Sequence, residues 1–208
     1  MKLLIVTATE AEIKLFKDSC SDLQQKYTMS FLHTGVGMAV TAYALTKEIT
    51  KHNYDLVINA GIAGSFFRGI KVGEVVMVQN ELFAELGAED DTAFIKFSEM
   101  NLPGPYAFKN AKVLSGAYYS SLKKVKAATV NKVNGNEENI SAFIKLHATE
   151  IESMEGASVA MVCEAEQIPY VQIRSISNYV TKRNRDAWDI PNAIKNLNEG
   201  VRKLISEL

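Results

Sequence analysis

The sequence predicts an α/β fold, in which a single-domain, largely parallel or mixed central sheet is flanked by helices. Short apolar runs rich in β-branched residues alternate with longer segments whose apolar residues recur at helical spacing. This alternation is typical of βαβ units and of strands buried on both faces. The chain has 208 residues, 47% of them hydrophobic, so it can bury one sizeable core, and we expect one domain spanning 1–208.

The short apolar runs are the predicted strands. Central strands are expected at Lys2–Thr7, Asp55–Asn59 and Tyr170–Ile176, and further strands at Glu74–Gln79 and Val125–Asn131.

Segments of helical period lie between these runs and after the last one. Helices are expected at Glu10–Asp18, Val40–Lys51, Gly156–Gln167 and Asn192–Ser206. The stretch from Gly87 to Asn110 contains acidic residues and prolines without sustained periodicity. It predicts a long loop over one end of the sheet, of the kind that often acts as a lid.

Charge and cysteine usage favour a small ligand in a reducing compartment. Lys and Arg number 23 against 24 for Asp and Glu, so nothing in the net charge of -1 indicates a nucleic acid or a membrane as partner. Cys20 and Cys163 form no CxxC motif, and the three histidines form no metal motif, so we expect free thiols, no metal and no cofactor. The apolar run Leu3–Val6 is too short for a signal peptide, which predicts a cytoplasmic protein.

Glycine-bearing segments follow several of the candidate strands, at His33–Met38, Asn59–Ser65 and Asn134–Gly135. Ligands of parallel sheets bind outside the carboxyl ends of strands, where glycine lets backbone N–H groups approach closely. Each segment taken alone is more simply an ordinary tight turn. A dinucleotide site is excluded at the first, because Val40 stands where its fingerprint needs glycine or alanine.

Polar side chains stand at the same end of the predicted sheet. Glu12 opens a helix directly after the first strand, where a base could reach a bound water, although a first-turn acid complementing the helix dipole is an equal alternative. The same alternative holds for Glu155, whose Met-Glu-Gly context is more specific. Asn178 ends the last strand, where it would face the crevice or form a turn.

Taken together, the order and spacing of these segments resemble the nucleoside phosphorylase / methylthioadenosine nucleosidase superfamily over nearly the whole chain. The matching features are acidic residues after the first strand, the Ala-Gly-Ile-Ala-Gly segment, the Ser-Met-Glu-Gly box and the strand end Arg-Ser-Ile-Ser-Asn. Within the superfamily these segments and Leu86–Asp90 are most similar to the futalosine hydrolases of a menaquinone pathway.

The resemblance implies a purine nucleoside substrate and a hydrolytic site. Glu12 matches the acid that activates water, and Glu155 matches the residue that binds the ribose hydroxyls, with Met154 packing against the sugar. Asn178 stands where adenine-specific relatives carry aspartic acid. Its amide can donate to O6 of a 6-oxopurine but cannot release a proton, which favours hypoxanthine as leaving group.

The remaining implied contacts concern the base and the assembly. Ala63 and Gly64 match backbone positions near the nucleoside, and Val133 matches a residue whose main chain meets the base. Phe94 resembles a residue that reaches the site of a neighbouring subunit, which implies a homodimer or a larger homo-oligomer.

Other activities remain open on the sequence. A methylthioadenosine/adenosylhomocysteine nucleosidase would have the same scaffold. A phosphorylase would need basic donors for phosphate, and segments 33–38 and 59–65 contain none, although Arg68 and Lys71 follow shortly after. A nucleoside-binding protein without turnover is a further alternative, which the presence of both Glu12 and Glu155 disfavours.

Overall fold

The structure is a computed structural model that describes residues 1–110, 112 and 114–208. The strands are β1 (Lys2–Thr7), β2 (Thr28–His33), β3 (Leu56–Ser65), β4 (Val75–Phe83), β5 (Gly87–Asp90), β6 (Ala93–Lys96), β7 (Ala107–Lys109), β8 (Lys123–Thr129), β9 (Ile151–Ser153) and β10 (Tyr170–Tyr179). The helices are α1 (Lys14–Lys17), α2 (Ser21–Gln24), α3 (Met38–Ile49), α4 (Ala117–Ser121), α5 (Glu137–His147), α6 (Gly156–Ala165) and α7 (Ile190–Ser206).

The central sheet is mixed and closes on itself. β3 pairs with β10 in parallel, β10 with β4 antiparallel, β4 with β8 and β8 with β9 in parallel, and β9 returns antiparallel to β3. β1 and β2 extend the sheet in parallel from β3, and β7 adds an antiparallel strand to β4. The predicted α/β class with a mixed sheet is therefore confirmed.

Helices cover β1 on both faces, which explains its continuous apolar run. Leu3 and Ile5 pack in the same cluster as Leu197 and Val201 of α7. The alternate residues Leu4 and Val6 belong to the cluster that includes α3 and α6. Every residue from Leu3 to Val6 is fully buried, so this strand anchors the core between the two helical layers.

Most predicted elements are confirmed with small shifts at their ends. β1 has the predicted bounds, and α3, α6 and α7 begin and end within two residues of the predicted helices. The runs predicted at Asp55–Asn59, Glu74–Gln79, Val125–Asn131 and Tyr170–Ile176 correspond to β3, β4, β8 and β10.

Two predictions near the site are wrong in their details. Glu10–Asp18 is not one helix but a 3-10 turn at Glu10–Glu12 followed by α1, because the Glu12 side chain bonds back to Thr9 and the backbone opens at Ile13. The glycine segment Asn59–Ser65 is not a turn but the second half of β3, because it has strand partners in β10 and β9.

The stretch from Gly87 to Asn110 is not a structureless loop. It forms the antiparallel hairpin β5–β6, a 3-10 turn at Phe97–Glu99, and β7, which pairs with β4. These strands are three or four residues long, too short to show a period in the sequence. β2 corresponds to the strand expected before His33, for which no bounds were predicted, and α5 was not predicted.

Both cysteines, Cys20 and Cys163, are buried and free. Within the described part of the chain, no helix combines the length and the apolar character that crossing a membrane requires.

Candidate active site

A cavity of about 350 Å³ opens where β1, β3, β9 and β10 end. Predicted site residues from separate parts of the chain line it, namely Glu12, Ala63, Gly64, Val133, Met154, Glu155 and Asn178. β1, β3 and β10 run parallel and point their carboxyl ends at this cavity, which is the usual ligand position in α/β sheets, whereas β9 is antiparallel to β3. A cavity of this size suits a small molecule.

Phe94 lies apart from this cavity. It belongs to β6, where its ring lies edge-on to His147 with 6.2 Å between the ring centroids. Its contact with a neighbouring subunit stays a prediction.

Glu12 is held at the cavity wall by two backbone donors, one just after β1 and one within β3. One carboxylate oxygen accepts the Thr9 N–H at 2.9 Å and the other accepts the Ile62 N–H at 3.3 Å. The side chain of Asn198 on α7 donates to the Glu12 carbonyl oxygen at 2.8 Å and accepts the Phe16 N–H at 2.7 Å. The buried Asn198 therefore fixes the backbone that carries Glu12.

Glu155 stands at the beginning of α6, on another wall of the cavity. Its Oε1 accepts the backbone N–H of Gly37 at 3.0 Å, and Gly37 has a φ of +106°, which glycine adopts without strain. Burial raises the pKa of Glu155, and the neighbouring charge of Glu12 acts in the same direction. The Gly37 N–H and the positive charge of Arg174 oppose that rise and favour the ionised form.

Arg174, whose role was not predicted, is buried beneath these acids at 2% exposure. Its guanidinium donates to Asn59 Oδ1 at 2.5 Å and to the Ile173 carbonyl oxygen at 3.0 Å. Burial lowers the pKa of Arg174, while Glu81, Glu155 and Glu12 raise it. The positive charge of Arg174 in turn favours the ionised form of Glu155.

Asn178 follows an irregularity in the pairing of β10 with β3 and is 9% exposed. The Ser177 hydroxyl donates to Asn178 Oδ1 at 2.7 Å, and Asn178 Nδ2 donates to the Tyr179 carbonyl oxygen at 3.1 Å. These contacts fix the orientation of the amide and leave the second N–H of Nδ2 for a ligand.

Two further polar residues, Glu152 and Asn134, line the cavity; Asn134 was expected only as part of the glycine-bearing segment Asn134–Gly135, and Glu152 was not predicted. Glu152 lies in β9 and accepts hydrogen bonds from the backbone and side chain of Asn134. One feature of the sequence could have indicated Glu152: a charged residue stands directly after Ile151, in a short segment whose residues are buried.

Basic side chains are sparse around the cavity. Among the described residues, Arg183 is the only Lys or Arg that lines it. Arg68 is exposed and stacks on the Tyr179 ring at 4.8 Å, and Lys71 does not line the cavity. The glycine-bearing strand ends therefore lack the paired basic donors that a phosphate dianion needs. Among all the residues that the structure describes, no group of three or more His, Cys, Asp or Glu residues is arranged to hold a metal ion.

The fold is that of an enzyme of the phosphorylase superfamily. The chain belongs to that superfamily, whose model matches residues 2–207. The futalosine hydrolase of Acidothermus cellulolyticus is 29% identical over 98% of this chain and 90% of its own length.

Two nucleosidases are similar over comparable lengths. The 5'-methylthioadenosine/S-adenosylhomocysteine nucleosidase of Bacillus velezensis is 29% identical over 91% of this chain and 90% of its own length. The crystal structure of the Streptococcus pneumoniae MTA/SAH nucleosidase in complex with 8-aminoadenine superposes with a TM-score of 0.86 over the whole of both chains, at 20% identity.

Proposed function

We propose that this chain hydrolyses the N-glycosidic bond of a purine nucleoside, with futalosine as substrate and hypoxanthine as leaving group. The observation that carries the proposal is the presence of Glu12, Glu155 and Asn178 in one cavity. Futalosine hydrolases are among its relatives at 28–29% identity over most of the chain. Residues 1–208 would act as one catalytic domain.

Cleavage of this bond builds positive charge on the ribosyl ring and negative charge on the departing base. In the proposed mechanism Glu155 lies against the ribose and its negative charge stabilises the ring. Glu12 takes a proton from a water as the water oxygen bonds to C1′, and the C1′–N9 electron pair leaves with the base. The free N–H of Asn178 donates to O6 or N7 of the base, and Met154 packs against the sugar.

The alternative activities differ in their base or their nucleophile. A methylthioadenosine/adenosylhomocysteine nucleosidase is supported by relatives such as that of Bacillus velezensis. Asn178 disfavours it, because an amide cannot deliver a proton to N7 of adenine. Phosphorolysis is disfavoured because Arg183 is the only basic residue among the described cavity walls.

One chromatographic assay tests these alternatives. The chain is incubated with futalosine, methylthioadenosine or adenosylhomocysteine, with and without phosphate, and the bases and sugars are separated. We expect hypoxanthine and a free ribosyl product from futalosine in phosphate-free buffer. Strict phosphate dependence with a sugar 1-phosphate would show a phosphorylase, and faster release of adenine would show the second nucleosidase. Binding without release of any base would show a binding protein.

We also propose that the enzyme is a cytoplasmic homodimer or larger homo-oligomer in menaquinone synthesis, and that Phe94 reaches the site of a neighbouring subunit. Phe94 belongs to an aromatic group with Phe143 and His147, whose rings lie 4.6 Å apart. Light scattering measures the assembly. A monomer that is fully active would contradict the role given to Phe94.

A further inference from the structure

Glu152 is a buried carboxylate in the cavity that the proposed mechanism does not use. It is 4% exposed and lies in β9, opposite Gly64 of β3. No ion pair joins it to a Lys, Arg or His within the residues that the structure describes. A buried charge without a cation is costly, so its retention in a cavity wall needs an explanation.

The hydrogen bonds that Glu152 accepts come from Asn134. The Asn134 N–H lies 3.1 Å from Oε1 and 3.3 Å from Oε2, and Asn134 Nδ2 lies 2.6 Å from Oε2. A carboxylate offers about four acceptor positions, so Oε1 retains capacity for another donor. Since Glu152 lines the cavity, that donor can belong to a ligand.

Glu152 and Asn178 flank the same glycine. A Cβ at position 64 would lie 3.3 Å from Asn178 Nδ2 and 3.6 Å from Glu152 Cγ. The two side chains are therefore close enough for one planar heterocycle to contact both. A Cβ at this position would also lie 2.8 Å from Val180 Cγ2, so the two side chains can approach each other this closely only beside a glycine.

Purines differ along the edge that such a pair of side chains would meet. A 6-oxopurine presents O6 as acceptor beside N1–H as donor, whereas a 6-aminopurine presents an amino donor beside an N1 lone pair. Asn178 supplies a donor N–H and Glu152 supplies acceptor oxygens. We propose that Glu152 selects the 6-oxopurine by accepting a hydrogen bond from its N1–H. This inference rests on the proposed function and assigns its base specificity to a pair of side chains.

Burial raises the pKa of Glu152 to about 7, and the Asn134 hydrogen bonds oppose that rise. Binding of N1–H favours the ionised carboxylate, so the 6-oxopurine and the deprotonated form stabilise one another. Groups facing Glu152 include Asn134 and, as a neighbouring charge, Glu85.

The test is the Glu152→Gln variant, assayed with futalosine and with its 6-amino-6-deoxy analogue. Gln keeps an oxygen for Asn134 but turns amide hydrogens towards N1–H. We expect kcat/KM for futalosine to fall roughly 10- to 100-fold while that for the amino analogue holds or rises. Glu85→Gln is the matched control, because Glu85 accepts the Asn131 N–H at 2.8 Å on the same segment and does not line the cavity.

A purely structural role for Glu152 would lower both kcat/KM values together, and an unchanged ratio in Glu152→Gln overturns the inference. Calorimetric titration with free hypoxanthine and adenine separates this failure from failure of the proposed function. If the wild type hydrolyses neither nucleoside, the proposed function is wrong. In that case, a wild type that binds hypoxanthine more tightly than adenine, together with a variant that does not, would still support the role of Glu152 in base selection. A wild type that binds the two bases equally well would overturn the inference.

Discussion

Glu10 and Glu12 occupy the same 3-10 turn but meet different surroundings. Glu10 points to solvent, where it pairs with Lys17 at 3.1 Å, and burial of Glu12 places its carboxylate in the cavity. The hydrogen bonds from Thr9 and Ile62 hold Glu12 in one orientation. Of these two acids, only Glu12 can contact a molecule bound in the cavity.

Glu12→Gln should keep nucleoside binding and lose turnover. Gln fills the same space but cannot accept the proton of the attacking water, so kcat should fall by ~10²–10⁴ with little change in Kd for the free base. Single-turnover kinetics and calorimetry measure the two effects. Glu10→Gln is the control and should retain wild-type kcat, and a near-normal kcat in Glu12→Gln would show that Glu12 only caps its turn.

Asn178→Asp should weaken the preference for a 6-oxopurine. The carboxylate oxygen that replaces Nδ2 would direct lone pairs at O6 and also at the Tyr179 carbonyl oxygen, which now accepts a hydrogen bond. We expect kcat/KM for futalosine to fall roughly 10- to 100-fold. The comparison is with Asn184→Asp, an exposed position outside the cavity whose cap to the Asp186 N–H is retained. Unchanged base selectivity would remove Asn178 from base recognition.

The sequence was informative where a polar residue follows a strong strand. Glu12 lies in the turn that follows β1 and Asn178 lies at the end of β10, and both line the cavity. Glu152 could not be found in this way, because it lies within a three-residue strand whose burial comes from β3 and β8. A role for Arg174 beyond the Arg-Ser-Ile-Ser-Asn motif could not be predicted, because the acids that balance its charge are distant in sequence.

At the scale of elements, the beginning of α6 depends on the glycine that follows Glu155. A Cβ at Gly156 would lie 2.1 Å from Glu81 Oε2 and 2.8 Å from Gln172 Oε1, both buried. Neither side chain can move aside easily, because Glu81 accepts from Thr129 and Gln172 donates to the Gly156 carbonyl oxygen. The helix start is thus fitted to the sheet beneath it.

Gly156→Ala should lower both stability and activity. The crowding should cost about 1–3 kcal/mol of the free energy of unfolding, and displacement of Glu155 should reduce kcat. Urea denaturation and the futalosine assay measure the two losses. In the control Gly69→Ala, the added Cβ meets the exposed ring of Phe67, which can rotate away. Equal stability of the two variants would contradict this account.

Among elements, most of the long helices were predicted and the short strands were not, although the eleven-residue α5 was also not predicted. α3, α6 and α7 are ten residues or longer and show a helical period or a sustained apolar run. The break after Glu12 could not be predicted, because the local bond between Glu12 and Thr9 is supported by Asn198 in α7, which bonds to the backbone of Glu12 and of Phe16. The continuation of β3 through Gly61 and Gly64 likewise depends on pairing with β10 and β9.

Over the whole molecule, buried acids couple stability to pH. Burial raises the pKa of Glu81 and of Glu152 to about 7, above the usual value of 4.5. The folded state therefore binds more protons than the unfolded state between these values, so these groups make the free energy of unfolding fall as pH rises from about 4.5 to 7. The destabilisation that comes from ionising these buried carboxyls is absent below about pH 4.5 and complete above about pH 7.

Glu152→Gln removes one of these groups and should flatten that dependence. Between acidic and mildly alkaline pH, the free energy of unfolding of the variant should decrease less than that of the wild type. The difference should be about 3 kcal/mol, as expected for the loss of a carboxyl whose pKa is raised to about 7. Urea titrations at several pH values measure the slope. Glu85→Gln should follow the wild-type curve, and parallel curves for Glu152→Gln would refute the coupling.

The closed ring of strands also limits how the cavity can admit a nucleoside. β3, β9 and β10 carry Gly64, Glu152 and Asn178, and each is bonded to a neighbour on both sides. None of these strands can separate from the sheet unless the hydrogen bonds on both of its sides break together. Gly64, Glu152 and Asn178 should therefore keep their positions during local opening of the structure. Passage of substrate then falls to the segments outside the ring, above all the largely exposed residues 181–189 that carry Arg183 and Trp188. Residues 181–189 would therefore govern the rate at which substrate enters, whereas the strand ring fixes the positions of the side chains that contact it.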